Sequence, residues 1–132
     1  MAYIYREIRI AADPDAVWDA VRDVGAIHTR LAPGFVVDTQ LEGGERIVRF
    51  GNGTEARERI VDVDDAARRL AYGVVGGRLT HHSASIQIHP EGDGASRFVW
   101  VADLLPEEAK DYVAGQMTAG LAAVKARLEP PE

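Results

Sequence analysis

Between residues 81 and 89, polar and apolar side chains alternate. His81, Ser83, Ser85, Gln87 and His89 fall on one face, and His82, Ala84, Ile86 and Ile88 on the other. A period of two predicts a half-buried strand. Its polar face meets water, so Ile86, Ile88 and His82 turn inward. A different period governs the carboxyl end. Ala109, Val113, Met117, Leu121, Val124 and Leu128 recur at steps of three and four. That pattern predicts a helix opening at Pro106-Glu107-Glu108, about 22 residues and 33 Å long.

A third pattern lies near the amino end. Residues 3–10 read as a strand that runs directly into a helix over 14–23. Asp13 suits the N-cap, where its carboxylate accepts from free N–H groups, and Pro14 suits the first helical position. Asp15 and Asp19 place negative charge near the positive end of the helix dipole. Val17, Trp18, Val21 and Val24 form one apolar stripe. Gly25 to Arg30 makes a short second helix.

Between these ends, runs rich in Val, Ile and Phe are separated by turn signals. They predict strands near 35–41, 45–50, 55–63, 69–75, 80–89 and 95–104. Gly43-Gly44, Gly51-Asn52-Gly53, Asp64-Asp65-Ala66, Gly76-Gly77 and Pro90 to Gly94 supply the turns. Seven strands with short connections favour an antiparallel sheet. The whole of residues 1–132 reads as a single domain, with Pro130-Pro131 a frayed tail.

Parity then selects the inward side chains. Phe98, Trp100, Ala102 and Leu104 are the heavier face of the last strand. Leu70, Tyr72 and Val74 point in, as do Phe35, Val37 and Leu41. In 55–63, turning Glu58 inward costs less than burying both Arg57 and Arg59. On the long helix Val113, Met117, Leu121 and Val124 face the sheet. Gly115, Ala119, Gly120, Ala122 and Ala123 add so little bulk that they either leave space or permit close packing.

The order of strand, helix pair, six-stranded meander and long helix, with the motif Ala12-Asp13-Pro14-Asp15-Ala16-Val17-Trp18, resembles the START-like (SRPBCC) superfamily. Within it the chain is similar to the polyketide cyclase/dehydrase and lipid-transport group. Arg57-Glu58-Arg59-Ile60-Val61, Arg69-Leu70-Ala71-Tyr72 and Ser96-Arg97-Phe98-Val99-Trp100 are further matching pieces. The resemblance implies an α+β helix-grip fold: a curved seven-stranded antiparallel sheet wrapped around the terminal helix, two short helices after the first strand, and a cavity between sheet and helix.

Composition narrows the chemistry. With 132 residues the chain is long enough for a sizeable core. A net charge of −6 argues against nucleic-acid binding and against docking on anionic lipid. The absence of cysteine excludes disulfides, Cys-based zinc sites and thiol nucleophiles. No apolar run is long enough to span a bilayer, and Met1 to Arg6 lack the apolar stretch of a signal peptide. These features point to a soluble, cytoplasmic protein. They call for no cofactor, and they leave the oligomeric state open, a homodimer being one option.

The inward set defines the candidate site. Phe35, Tyr72, His82, Ile86, Phe98, Trp100, Val113, Met117 and Leu121 are the expected ligand-binding residues. A small hydrophobic molecule (polyketide-like, lipid or other apolar metabolite) is the expected partner. The alternative is an aromatase/cyclase or dehydratase, with His82 and either Glu58 or Tyr72 as acid and base. A groove for a partner helix is a third option without specific support. Blander roles stand beside each residue: His82 as a hydrogen-bonded histidine at the mouth of the sheet, Glu58 as a rim carboxylate paired with Arg57 or Arg59, Trp18 as a core staple. His28 and Arg30 are either greeters of an anionic ligand at the cavity entrance or solvated loop residues. His81 and His82 point to opposite faces of a strand, so one metal ion cannot readily take both.

Overall fold

The computed structural model describes residues 2–130, and Pro131 of the expected tail lies outside them. Strand β1 (Ala2–Ile10) leads into helix α1 (Pro14–Arg22). A π-helical turn, Ile27–Leu31, follows where a short second helix is expected. Then come β2 (Val36–Glu42), β3 (Glu45–Phe50), β4 (Glu55–Asp64), β5 (Arg69–Val75), β6 (His81–Pro90) and β7 (Ser96–Leu105). A 3-10 turn over Glu107–Ala109 opens into α2 (Lys110–Leu128). All seven strands form one antiparallel sheet in the order β1-β7-β6-β5-β4-β3-β2. The meander therefore folds back until β7 lies beside β1. This is the helix-grip architecture, and its boundaries fall within one or two residues of the expected ones. No helix of the described residues is long and apolar enough to cross a membrane.

Helix α1 starts as its sequence dictates. Asp13 Oδ1 accepts from the Asp15 N–H at 2.9 Å, with Pro14 at the first helical position. Val17, Trp18, Ala20 and Val21 are buried. Trp18 Nε1 donates to Asp65 Oδ1 at 2.9 Å, and the Arg22 guanidinium reaches the same carboxylate at 2.8 Å. Trp18 thus fastens α1 to the β4–β5 turn.

Helix α2 crosses the inner face and is tied to β1 at its far end. Lys125 Nζ donates to the Arg9 carbonyl at 2.7 Å, and the Ala11 N–H donates to Glu129 Oε2 at 2.8 Å. Met117, Gly120, Leu121 and Val124 are its buried residues. Of the small residues expected along the sheet, Gly115, Ala119 and Ala122 lie on the exposed side. Only Gly120 and the half-buried Ala123 turn toward the core.

Parity holds on β5, β6 and β7 and fails on β2. Leu70, Tyr72, Ile86, Ile88, Phe98, Ala102 and Leu104 are all buried. On β2 the register slips between Val36 and Asp38. Val36 and Thr39 are consequently the buried positions, and Val37 is 49% exposed instead of inward. Leu41 sits opposite the inward Arg46, as parity requires. On this edge strand it nevertheless remains 60% exposed, lying over Gly25.

Gly73 and Gly115 carry opposite expectations. A Cβ on Gly73 of β5 would stand 2.7 Å from the His82 carbonyl oxygen, a backbone atom that cannot turn away, whereas one on Gly115 of α2 would meet nothing within 4 Å. Gly73→Ala is expected to destabilise the protein by about 1–3 kcal/mol through overpacking. Gly115→Ala should stabilise it by about 0.5–1 kcal/mol through helix propensity. Urea unfolding of the two variants checks both signs.

Candidate functional site

Between the concave sheet and α2 lies a cavity of about 880 Å³. Its apolar wall includes Phe35, Phe50, Ile86, Phe98 and Trp100 from the sheet side, and Val113, Met117, Gly120 and Val124 from α2. Ile27 and Leu31 of the π-helical turn close one end. The exposed members of the wall gather at the other: Thr54 and Glu55, the Gly76-Gly77-Arg78 turn, and Glu108 with Tyr112 at the start of α2. The cavity opens there.

Aromatic packing shapes the wall. Phe35 meets Phe50 edge-on at 5.4 Å between centroids, and Phe98 meets Trp100 edge-on at 6.5 Å. Such contacts fix ring orientation as well as burying area. Gly120 lets the helix come close. A Cβ there would press to 3.1 Å against both Phe35 and Trp100, so a larger residue would displace two wall rings.

One stretch of the sheet floor is polar. Arg46 and Glu58, opposite each other on β3 and β4, are 3% and 7% exposed. Arg46 Nε donates to Glu58 Oε1 at 2.7 Å, and Nη1 donates to the Val24 carbonyl at 3.3 Å. The guanidinium carbon lies 5.2 Å from the Tyr72 ring centroid, a cation–π distance. Trp100 Nε1 donates to the Tyr72 hydroxyl at 3.0 Å. Burial, with the nearby Glu58 charge adding to it, holds the Tyr72 hydroxyl proton well above the usual tyrosine range.

His82 lies next to this group, its ring 5.9 Å from that of Tyr72. The Val74 N–H donates to His82 Nδ1 at 3.0 Å. Accepting at Nδ1 leaves the proton of the neutral ring on Nε2. Burial, assisted by the neighbouring His81, pulls the His82 pKa down to about 4, with Asp103 opposing. At neutral pH His82 is an uncharged imidazole.

Eight of the nine expected ligand-binding residues come together on the wall: Phe35, Tyr72, His82, Ile86, Phe98, Trp100, Val113 and Met117. Leu121 does not. It is buried, but the turn of α2 sends it into the core beside the cavity. His28 and Arg30 are not at the entrance either. Both lie off the wall, and Arg30 is held by Asp19 at 2.6 Å and Asp23 at 3.0 Å. Glu58 faces inward as expected, but its partner is Arg46 rather than Arg57 or Arg59. Those two arginines pair with Glu45, and Arg57 also with Glu42. Arg46 is the buried charged wall residue absent from the expected set. The signal was present: Arg46 shares its strand face with Val48 and Phe50, so parity alone turns it inward. Among the described residues, no three His, Asp or Glu side chains assemble into a group able to hold a metal ion.

Residues 1–129 match the family described as Polyketide cyclase / dehydrase and lipid transport. The chain belongs to that family. No curated protein matches it. A Thermobifida fusca protein solved by NMR is 31% identical over 96% of this chain and 89% of its own, with a TM-score of 0.76. A START superfamily protein from Mycobacterium smegmatis shares 13% identity over 96% of each chain, with a TM-score of 0.77. The di-domain ARO/CYC BexL of the BE-7585A biosynthetic pathway shares 19% identity at a TM-score of 0.79, with 96% of this chain covering 46% of BexL. The last two likenesses establish the START-like fold that this family member shares.

Two predictions come from the polar floor. Glu58→Ala or Arg46→Met alone strands a buried charge and should cost about 3–5 kcal/mol, whereas Arg46→Met/Glu58→Leu together should cost much less. A double-mutant cycle in urea measures the difference. For His82 the folded pKa lies below the ordinary 6.5, so the unfolded chain binds the extra proton. Its contribution is complete above pH 6.5 and is lost as pH falls toward about 4. Wild-type stability should therefore drop across that window by on the order of 1–3 kcal/mol more than that of His82→Gln, as read from urea midpoints at both ends.

Proposed function

We propose that residues 1–132 act as one domain that takes up a small, mostly apolar molecule between the sheet and α2. The supporting observation is the cavity of about 880 Å³, walled by aliphatic and aromatic side chains with a short polar floor. A volume of that order suits a drug-sized or lipid-like ligand. Affinity would come from burial, at about 25 cal/mol per Å² of apolar surface. Phe35, Ile86, Phe98, Trp100, Val113 and Met117 supply that surface. Tyr72 and His82 orient the ligand by hydrogen bonding. A polyketide-like aromatic, a lipid or another apolar metabolite fits this description, and a cytoplasmic setting suits the acidic, cysteine-free chain.

Binding is favoured over acid–base cyclisation by the state of the polar groups. An efficient general acid or base titrates near the working pH. His82 is pulled down to about 4 and Tyr72 is pushed up by burial. Glu58 is engaged by Arg46. Neither His82 nor Tyr72 is poised to exchange a proton readily at neutrality, whereas all three side chains can hold hydrogen bonds.

Trp100 reports on the wall, and Trp18, bonded to Asp65 outside it, serves as an internal reference. A saturating apolar ligand that does not absorb in the tryptophan band, such as decanol, should change the emission of the wild type. Trp100→Phe should remove most of that change and Trp18→Phe should keep it. A change that survives Trp100→Phe would put the ligand elsewhere. No response to alcohols, fatty acids, sterols and flat aromatic ketones alike would count against the binding reading.

A further inference from the structure

The buried ion pair does not saturate its own hydrogen-bonding capacity. Arg46 commits Nε to Glu58 Oε1 and Nη1 to the Val24 carbonyl. Neither Arg46 Nη2 nor Glu58 Oε2 forms a hydrogen bond with any described residue. Both side chains belong to the cavity wall, and both residues are more than nine-tenths buried. The surface they retain is the surface turned to the cavity. A donor and an acceptor thus stand side by side in an otherwise apolar chamber.

We propose that Arg46 Nη2 and Glu58 Oε2 form a subsite for one neutral hydroxyl group, making the ligand an apolar alcohol or phenol. The inference rests on the cavity-binding reading above and adds the chemistry of the ligand's polar end. A hydroxyl has one proton to donate to Glu58 Oε2 and lone pairs to accept from Arg46 Nη2. A carboxylate can only accept, and the Arg46 charge it needs is already neutralised by Glu58; its own charge would face a second carboxylate. An ammonium can only donate, and it would face the guanidinium. A pure hydrocarbon would cover two desolvated polar atoms without satisfying either, which is penalised more than leaving them wet.

The surroundings reinforce the choice. Tyr72 packs against the guanidinium and its hydroxyl already accepts from Trp100, so the floor around the subsite is rigid. The Val74 N–H bond to Nδ1 leaves the His82 Nε2–H as a second donor beside the same floor. Every polar group there is an uncharged donor, an uncharged acceptor or half of a matched pair. Such a floor can discriminate by hydroxyl count and position while rejecting net charge.

Three ligands of one skeleton test the proposal: 2-naphthol, 2-naphthoate and naphthalene, titrated calorimetrically into the full chain at neutral pH. Naphthol should bind about tenfold or more tighter than either of the others, the ratio that one net hydrogen bond to a charged group supplies. In Arg46→Met/Glu58→Leu, naphthol and naphthalene should come within about twofold of each other, naphthalene binding being retained. In the unmodified protein, the Arg46 side-chain NMR signals should move with naphthol and stay with naphthalene, a readout that does not depend on the variant folding. Equal wild-type affinity for naphthol and naphthalene, or preference for naphthoate, overturns the hydroxyl subsite and leaves the cavity reading standing. Binding of none of the three overturns both.

Discussion

Moving a guanidinium and a carboxylate out of water costs several kcal/mol per ion, and the Arg46–Glu58 pair tolerates that cost only through its geometry. The two residues face each other across β3 and β4. A carbonyl at the end of α1's loop accepts from the same guanidinium, and the Tyr72 ring lies against it. Tyr72 in turn receives Trp100, and the wall continues from Trp100 to Phe98. One ion pair therefore connects the β3–β4 hairpin, the segment after α1, and the strands that carry the aromatic wall. Pairs of this kind add little net stability. What this one fixes is position, because its partners can adopt few other arrangements without leaving a charge unmatched.

The cavity depends equally on what is missing opposite that floor. Gly120 brings α2 so near to Phe35 and Trp100 that even a single added carbon would stand 3.1 Å from both rings and have to push them aside. Close contact there seals one stretch of the seam between helix and sheet. Farther along α2, Val113 and Met117 reach only partway toward the sheet, and the chamber lies in the remaining gap. The helix is not simply lined with small residues: Gly115, Ala119 and Ala122 face away. Space arises between the curved sheet and the 19 residues of α2.

Most of the fold was legible because periodicity is a direct consequence of burial. Alternation in 81–89 placed His82, Ile86 and Ile88 correctly, and the Asp13-Pro14 start of α1 was readable as chemistry. What escaped has physical reasons. The bulge after Val36 inserts a half-step that no hydrophobicity pattern announces, so Val37 turned out. Leu121 obeys the helical period perfectly, but the period identifies a buried face without separating core from cavity wall. Arg46 was passed over because an arginine between Glu45 and Ile47 reads as a surface charge, although its parity with Val48 and Phe50 already turned it inward; what the sequence withheld was its cross-strand partner, Glu58. Register is a long-range property, and the sequence alone leaves it open. His28 and Arg30 failed for a related reason: their placement is set by where the π-helical turn docks and by the acids of α1.

The adjacency of β1 and β7 has a consequence for how the molecule comes into being. Ala2 pairs with Leu104 and Ile10 with Ser96, so the first strand finds its neighbour only when most of the chain exists. Contacts of such long sequence separation slow folding, since loop-closure entropy must be met before they form. During synthesis β1 and α1 emerge first and the β2–β6 meander follows, with its concave apolar face uncovered. Phe98 and Trp100 arrive with β7, and α2 follows. The nascent sheet is consequently most adhesive just before α2 arrives, and the cavity exists only once both of its walls are in place.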